Sequence, residues 1–247
     1  MERGLARIAV VAVLASTVVV TGCAADSGDG GILVLKNVRA DTNCTATSLE
    51  SEVGMSHGSL DTLIASDYLF IAQMRSRITA LTGQEDQRTI ITSGAKIDIT
   101  FPNSTLFSAT ELTQLHDQGL THFKSLFSVA IAPNEGLTDG PFTLIPEALV
   151  TKIADKLGAT SSRLETLATF TIEGDMSGQS VVSQPFSYAI TIGRVNAAIL
   201  GTCPVATGTT VSAGYACNPM QDGHVDCCTQ STPSGTNLIC PAPVATN

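Results

Sequence analysis

Residues 184–192 read QPFSYAITI. They place Phe186, Tyr188, Ile190 and Ile192 on one side of an extended chain, with Ser187, Ala189 and Thr191 on the other. Alternation with period two marks a strand buried on one face. Upstream, LETLATFTIEG (164–174) alternates less strictly, and the Gly-bounded GDMSGQ (174–179) joins the two stretches as a hairpin. AKIDITF (95–101) sets Ile97, Ile99 and Phe101 against Asp98 and Thr100. ILVLKNV (32–38) is an apolar run, and LFSVAIA (126–132) is another, ending at Pro133. Thr and Ser recur throughout, as in half-exposed sheets. The sequence therefore predicts a mainly β fold, an immunoglobulin-like β-sandwich. A two-lobed β arrangement with a boundary near residues 133–146 is the alternative.

One or two short helices interrupt the strands. IPEALVTKIADKLG (145–158) has Pro146 at the first position, Glu147 in the first turn, Lys152 and Lys156 towards the end and Gly158 as a stop. Leu149, Val150, Ile153 and Leu157 form its apolar stripe. SATELTQLHD (108–117) carries a capping-box pattern from Ser108 to Glu111. Residues 59–81 fit both a helical face and a buried strand; a strand from about residue 67 to 77 is preferred.

The chain opens MERGLARIAVVAVLASTVVVTGC. Arg3 and Arg7 precede a short apolar run at 8–20, the pattern of a secretory signal. Val20-Thr21-Gly22-Cys23 resembles a bacterial lipobox. That resemblance implies cleavage after Gly22, a diacylglycerol on the Cys23 thiol and acylation of the new amino group by a fatty acid such as palmitate. Multiple acyl chains anchor stably, at ~0.8 kcal/mol per buried methylene. Ala24 in place of Asp points to the outer membrane under the usual sorting rule. The expected organisation is a signal peptide at 1–22, the lipidated Cys23 with a flexible tether to 31, a β-sandwich domain at 32–202 and a disulfide-rich segment at 203–247.

The formal net charge is −9, and the leader carries one net positive charge, so the remainder stands near −10. No basic patch exists, which argues against a nucleic-acid partner. Trp is absent and aromatics are few, which argues against a sugar-stacking platform. The membrane partner is reached through the anchor. The further expected partner is a component of the envelope or cell surface, and no cofactor is implied.

The chain has seven cysteines, and the anchor accounts for the odd one. Cys44, Cys203, Cys217, Cys227, Cys228 and Cys240 remain, an even set suited to disulfides in an oxidising compartment. Five lie in the tail, so Cys44 should reach one of them. Closing so long a loop is worth roughly 4 kcal/mol on the chain-entropy model. Adjacent Cys227 and Cys228 should take different partners.

Three other constellations raise chemistry. GMSHG (54–58) matches the Gly-x-Ser-x-Gly elbow, with Ser56 as nucleophile and Asp155 or Asp175 with His224 completing a Ser…Asp…His order. The chain around it lacks repeated βα alternation, so a polar Gly-rich turn is favoured. CNPMQDGHVDCC (217–228) admits zinc, a calcium loop through Asp222 and Asp226, or disulfides. Disulfides are favoured because Cys-x-x-Cys knuckles are missing. His116 and His122, six residues apart, do not share a helical face, and with His57 they read as solvated. No catalytic or metal-binding residue is assigned.

Gly58-Ser59-Leu60-Asp61, Tyr68, and Gln221-Asp222-Gly223 ahead of Cys227-Cys228 form a further pattern with the lipobox and tether. Together they resemble cysteine-rich cell-envelope lipoproteins of the myxobacterial type. IGRVNAAILGTCP (192–204) departs from it, with one Cys where relatives often carry more. The resemblance brings no established activity. The expected function is that of an outer-membrane lipoprotein presenting a non-catalytic β domain for envelope interaction or adhesion. An assembly or stability factor and a serine hydrolase using Ser56 are the alternatives.

Overall fold

The computed structural model describes residues 29–40, 54–79, 88–102, 105–134, 136–158, 163–215, 217–218 and 220–245. The expected signal peptide, Cys23, most of the expected tether and Cys44 lie outside the described residues. In chain order the elements begin with β1 (Asp29–Val38), β2 (Gly54–Met55), β3 (Gly58–Asp61), β4 (Tyr68–Ser76) and β5 (Ile90–Thr100). Then come α1 (Ala109–Asp117), β6 (His122–Ser125), β7 (Ala130–Ile131), β8 (Leu137–Ile145) and α2 (Glu147–Leu157). The chain ends with β9 (Arg163–Met176), β10 (Gln179–Ser183), β11 (Phe186–Gly193), β12 (Ala197–Thr202), β13 (Val225–Thr232) and β14 (Gly235–Ile239). The protein is thus mainly β with two helices, and residues 68–76 are a strand.

Strand β9 is the spine of an eleven-stranded sheet among the described residues. One of its edges pairs antiparallel with β5. Along the other edge its first half pairs with β11 and its second half with β10. Pro185 offers no N–H where those two strands meet. There the Ser183 hydroxyl accepts from the Ile172 N–H (2.8 Å) and donates to the Gln184 carbonyl (2.9 Å), closing the gap. Parallel pairing adds β1 beside β10 and β3 beside β11, and the ladder continues through β4 to β8. Residues 137–145 are therefore an integral strand of this sheet.

The sheet folds over on itself. Phe70 of β4 lies 5.1 Å by ring centroid from both Phe170 of β9 and Tyr188 of β11, strands it does not pair with. Phe142 of β8 also meets Phe170, at 5.2 Å. Tilted and edge-on contacts of this kind add about 0.5–1.5 kcal/mol per pair beyond burial. On β9 the inward positions run Leu164, Thr166, Ala168, Phe170, Ile172 and Gly174, a stricter alternation than the sequence suggests. Gly174 has no room for a side chain, because a Cβ there would stand 2.9 Å from Ile90 Cγ2 and from the Ile91 carbonyl oxygen.

In β5 the alternation slips one residue at a bulge between Thr92 and Gly94. Gly94 has φ +140°, and a Cβ there would stand 2.6 Å from the Ser125 carbonyl oxygen. This bulge corrects the expected strand over 126–132: the partner chain breaks into β6 and β7, and residues 126–129 leave the ladder. The Thr92 hydroxyl takes up the Val129 N–H at 2.8 Å instead.

Helix α2 buries Leu149, Val150, Ile153 and Leu157 as its stripe requires. Pro146 is its N-cap rather than its first helical residue. Helix α1 has the capping box: Ser108 accepts from the Glu111 N–H while Glu111 accepts from the Ser108 N–H (2.9 Å). The Lys156 ammonium of α2 and the Ser108 cap hold the Glu111 carboxyl down to about 2. No described helix is long and apolar enough to cross a membrane.

A second, three-stranded sheet takes the order β12-β13-β14. Its own apolar core is small: Val205, Cys228 and Ala242 are buried. Disulfides Cys203–Cys228 and Cys227–Cys240 cross it, so the adjacent cysteines do take different partners. Strand β12 lies before residue 203 yet belongs to this sheet.

Candidate functional site

Three stretches far apart in the chain meet where the tail docks on the large sheet. Strand β3 carries Gly58-Ser59-Leu60-Asp61, β4 begins with Tyr68, and the tail supplies Gln221-Asp222-Gly223. The Asp222 N–H donates to the Ser59 carbonyl (2.9 Å), and the Ser59 N–H returns a bond to Asp222 Oδ1 (2.7 Å). The Tyr68 hydroxyl lies 3.0 and 2.9 Å from the two carboxylate oxygens of Asp222. Gln221 completes the dock like a strand residue: its Oε1 accepts from the Leu69 N–H (2.9 Å) and its Nε2 donates to the Leu69 carbonyl (2.8 Å).

Behind Asp222 lies a buried polar cluster. Asn37 Nδ2 donates to the Tyr188 hydroxyl (3.1 Å) and the Tyr68 hydroxyl (3.3 Å), and the two hydroxyls are 3.2 Å apart. Asn37 Oδ1 takes the Ile71 N–H at 3.0 Å. Gly58 is required here, because a Cβ would stand 2.5 Å from the Tyr68 hydroxyl. Asp61 has a separate task. It is fully buried, and Oδ2 accepts from the N–H groups of Val195 (2.9 Å), Asn196 (2.8 Å) and Ala197 (2.8 Å). It thereby fixes the passage from β11 to β12.

Burial pushes the Asp222 carboxyl up, against the Ser59 N–H and the Tyr68 hydroxyl, which favour its charge. Burial likewise raises Tyr68 well above 10, with the Asp222 charge adding to it, and burial raises Tyr188. The neutral Tyr68 phenol thus donates to a desolvated carboxylate, with the Tyr188 hydroxyl behind it.

Beside this dock a cleft of about 520 Å³ opens between the outer face of β1, β4 and β8 and the tail. Met55, Leu69, Ile71 and Pro141 give it an apolar wall, and Arg39 and Tyr215 line it with polar groups. The Arg39 guanidinium carbon sits 3.3 Å from the Tyr215 ring centroid. Such a stack contributes about 0.5–1 kcal/mol at an exposed site.

The other sequence candidates separate. Ser56 is exposed in a bend between β2 and β3, so a strand follows it where the nucleophile elbow needs a helix. His224 Nε2 pairs with Asp226 Oδ1 at 2.9 Å, and Asp175 accepts from the Gly178 N–H in the β9–β10 turn. His57 Nε2 lies 2.6 Å from Thr191 Oγ1, whose hydroxyl donates to Glu165. Asp222 and Asp226 serve different neighbours: the Ser212 N–H and His224 hold Asp226 below its usual range. Cys217 is disulfide-bonded as well, outside the two bridges above. Among the described residues no group of three or more His, Cys, Asp or Glu side chains could hold a metal ion.

Asn37 and Tyr188 are the members of the dock that sequence reasoning missed. Asn37 carried a signal, as a polar residue inside an apolar strand. Gln221 and Asp222 were visible only as a short motif. The chain matches no protein-family model, and no curated protein is significantly similar to it.

Proposed function

We propose that the chain is an outer-membrane lipoprotein, anchored through acylated Cys23, that presents a non-catalytic β domain to another component of the cell envelope. In this reading the folded sheet is an immunoglobulin-like sandwich and the cleft beside the tail is the contact face. The observation that carries it is that cleft: an apolar wall beneath a tail clamped by disulfides and by the Asp222 dock. A preformed, mostly apolar concavity with a few fixed polar groups is the usual form of a recognition site. The bridges suit an oxidising compartment outside the cytoplasm. The hydrolase alternative loses support from the strand that follows Ser56.

The test is a photo-crosslinking amino acid placed at Ile71 in the cleft, or at Lys152 on α2 as the control, in intact cells. The expected result is a discrete adduct with an envelope component from Ile71 and none from Lys152. Equal or absent adducts, with fatty-acid label present on wild type and lost in Cys23→Ala, would reject the cleft while keeping the anchor. An adduct with an outer-membrane protein whose level falls on deletion of this chain would favour the assembly-factor reading.

A further inference from the structure

The outward face of β4 breaks the pattern of a half-exposed sheet. Leu69 and Ile71 stand there, half-buried, and Pro141 lies opposite Ile71 in the β4–β8 ladder. The outward positions of an antiparallel strand are normally polar. Here these side chains, with Met55, form the apolar wall of the cleft under the tail. The wall is made of flexible and branched chains rather than flat rings, a surface that moulds to a flexible occupant. At roughly 30 Å³ per heavy atom, a water molecule's share of the liquid, the cleft of about 520 Å³ takes about 17 of them. That is the size of a palmitate.

The uncommitted charge in the cleft has one sign. Arg39 lays its guanidinium face on the Tyr215 ring, an arrangement that leaves the N–H edge for a planar anion. Among the described residues no hydrogen bond or ion pair engages those N–H groups. The two carboxylates that also line the cleft are committed. Asp222 accepts from the Ser59 N–H and the Tyr68 hydroxyl, and Asp139 has a partner of its own. The Arg39 charge favours ionised Asp222 through space, without a hydrogen bond between them.

The backbone beneath is committed as well. Gln221 takes both the N–H and the carbonyl of Leu69, and Asn37 takes the Ile71 N–H. A peptide laid in the cleft would bring its own N–H and carbonyl groups to a wall whose polar groups are already paired, and each would lose its water for nothing. A hydrocarbon chain brings none.

We propose that the cleft binds a single-chain amphiphile, with its hydrocarbon against Met55, Leu69, Ile71 and Pro141 and its anionic head, a carboxylate or a phosphate, on the Arg39 fork. The inference rests on the reading of the cleft as the recognition site and gives its occupant a chemistry. A guanidinium fork takes either head through two parallel N–H bonds.

The experiment irradiates the full acylated chain, in phosphatidylcholine nanodiscs, with a palmitate analogue that carries a diazirine near the chain end. Labelled peptides are mapped by mass spectrometry. Label is expected around Met55, Ile71 and Pro141. Excess palmitate should displace it, and hexadecanol, the same chain without a charge, should compete about tenfold less well. Arg39→Gln should cut the labelling by about tenfold and Arg39→Lys by less, with circular dichroism reporting that the fold is kept. Stronger displacement by lysophosphatidate than by palmitate would assign the head to a phosphate and keep the site. Label spread over the surface, equal competition by hexadecanol, or unchanged labelling of Arg39→Gln would overturn the proposal. If a protein adduct still forms from Ile71 in cells, the cleft stands as a contact face and only the amphiphile is lost.

Discussion

The large folded sheet and the small cysteine-crossed sheet are held together by different means. In the large one, Phe70, Phe142, Phe170, Phe186 and Tyr188 fill the space between facing strands, and α2 adds an apolar stripe. The small one has a core of its own of only Val205, Cys228 and Ala242, with Val225 and Cys227 of β13 buried besides. Three strands alone cannot bury enough apolar surface to offset chain entropy. Two disulfides make up the difference by restricting the unfolded chain. The seam between them uses a third means, a set of directional polar bonds centred on Asp222. Such bonds add little net energy each, but leaving one partner unsatisfied is costly, so they fix position more than they stabilise.

The sharpest way to break this contrast is in the aromatic core. Phe70→Ala should destabilise the large sheet by about 3–5 kcal/mol, read as a fall in the urea midpoint of the oxidised protein. A loss below about 1 kcal/mol would mean that the core is not what holds this region. The matching attack on the small sheet is Cys227→Ser with Cys240→Ser. About 2–5 kcal/mol should be lost there. Hydrogen exchange should show residues 225–239 unprotected while β5 and β9 stay protected. Loss of protection in both regions at once would show that the two sheets unfold as one.

The seam comes next. Asp222→Ala removes the acceptor for the Tyr68 hydroxyl and the Ser59 N–H, at a cost of about 1–3 kcal/mol. Its pH dependence has a definite sign. The folded state raises the Asp222 carboxyl, so its contribution is full below the ordinary carboxylate value and is lost as pH rises through the raised one. The stability difference between wild type and Asp222→Asn should shrink or reverse over that interval. Tyr68 behaves likewise at the other end: its contribution holds below about 10 and falls as pH rises beyond it, and Tyr68→Phe should remove that alkaline loss. A difference from wild type that stays constant with pH for both variants would place the buried charge elsewhere. The smallest effect belongs to Ser108→Ala, which should cost about 1 kcal/mol through the lost cap of α1, read by thermal melting.

Much of the fold was legible because strands and helices write their periods locally. The alternation of 184–192 and the stripe of α2 needed no knowledge of the rest of the chain. The strand over 126–132 failed because its pairing depends on a bulge in β5, across the ladder. His116 and His122 looked unrelated because spacing rules assume one continuous helix. The chain turns back at Gly119 after α1, and the two rings stack with centroids 5.5 Å apart.

The sequence by itself determined the mainly β class of fold, the central stretches of β1, β4, β5, β9 and β11, both helices with the capping box of α1, and the separation of the adjacent cysteines. Each follows from patterning within a few residues or from the geometry of neighbours. Only the tertiary structure decided that one sheet folds over to make the core, and that Asp222 reaches Ser59 across 163 residues to dock the tail. Nor could the sequence place His116 against His122. Hydrophobic periodicity states which side of an element is buried, but not which distant element covers it. Those choices are made by packing, and by the need of each buried polar group to find a partner.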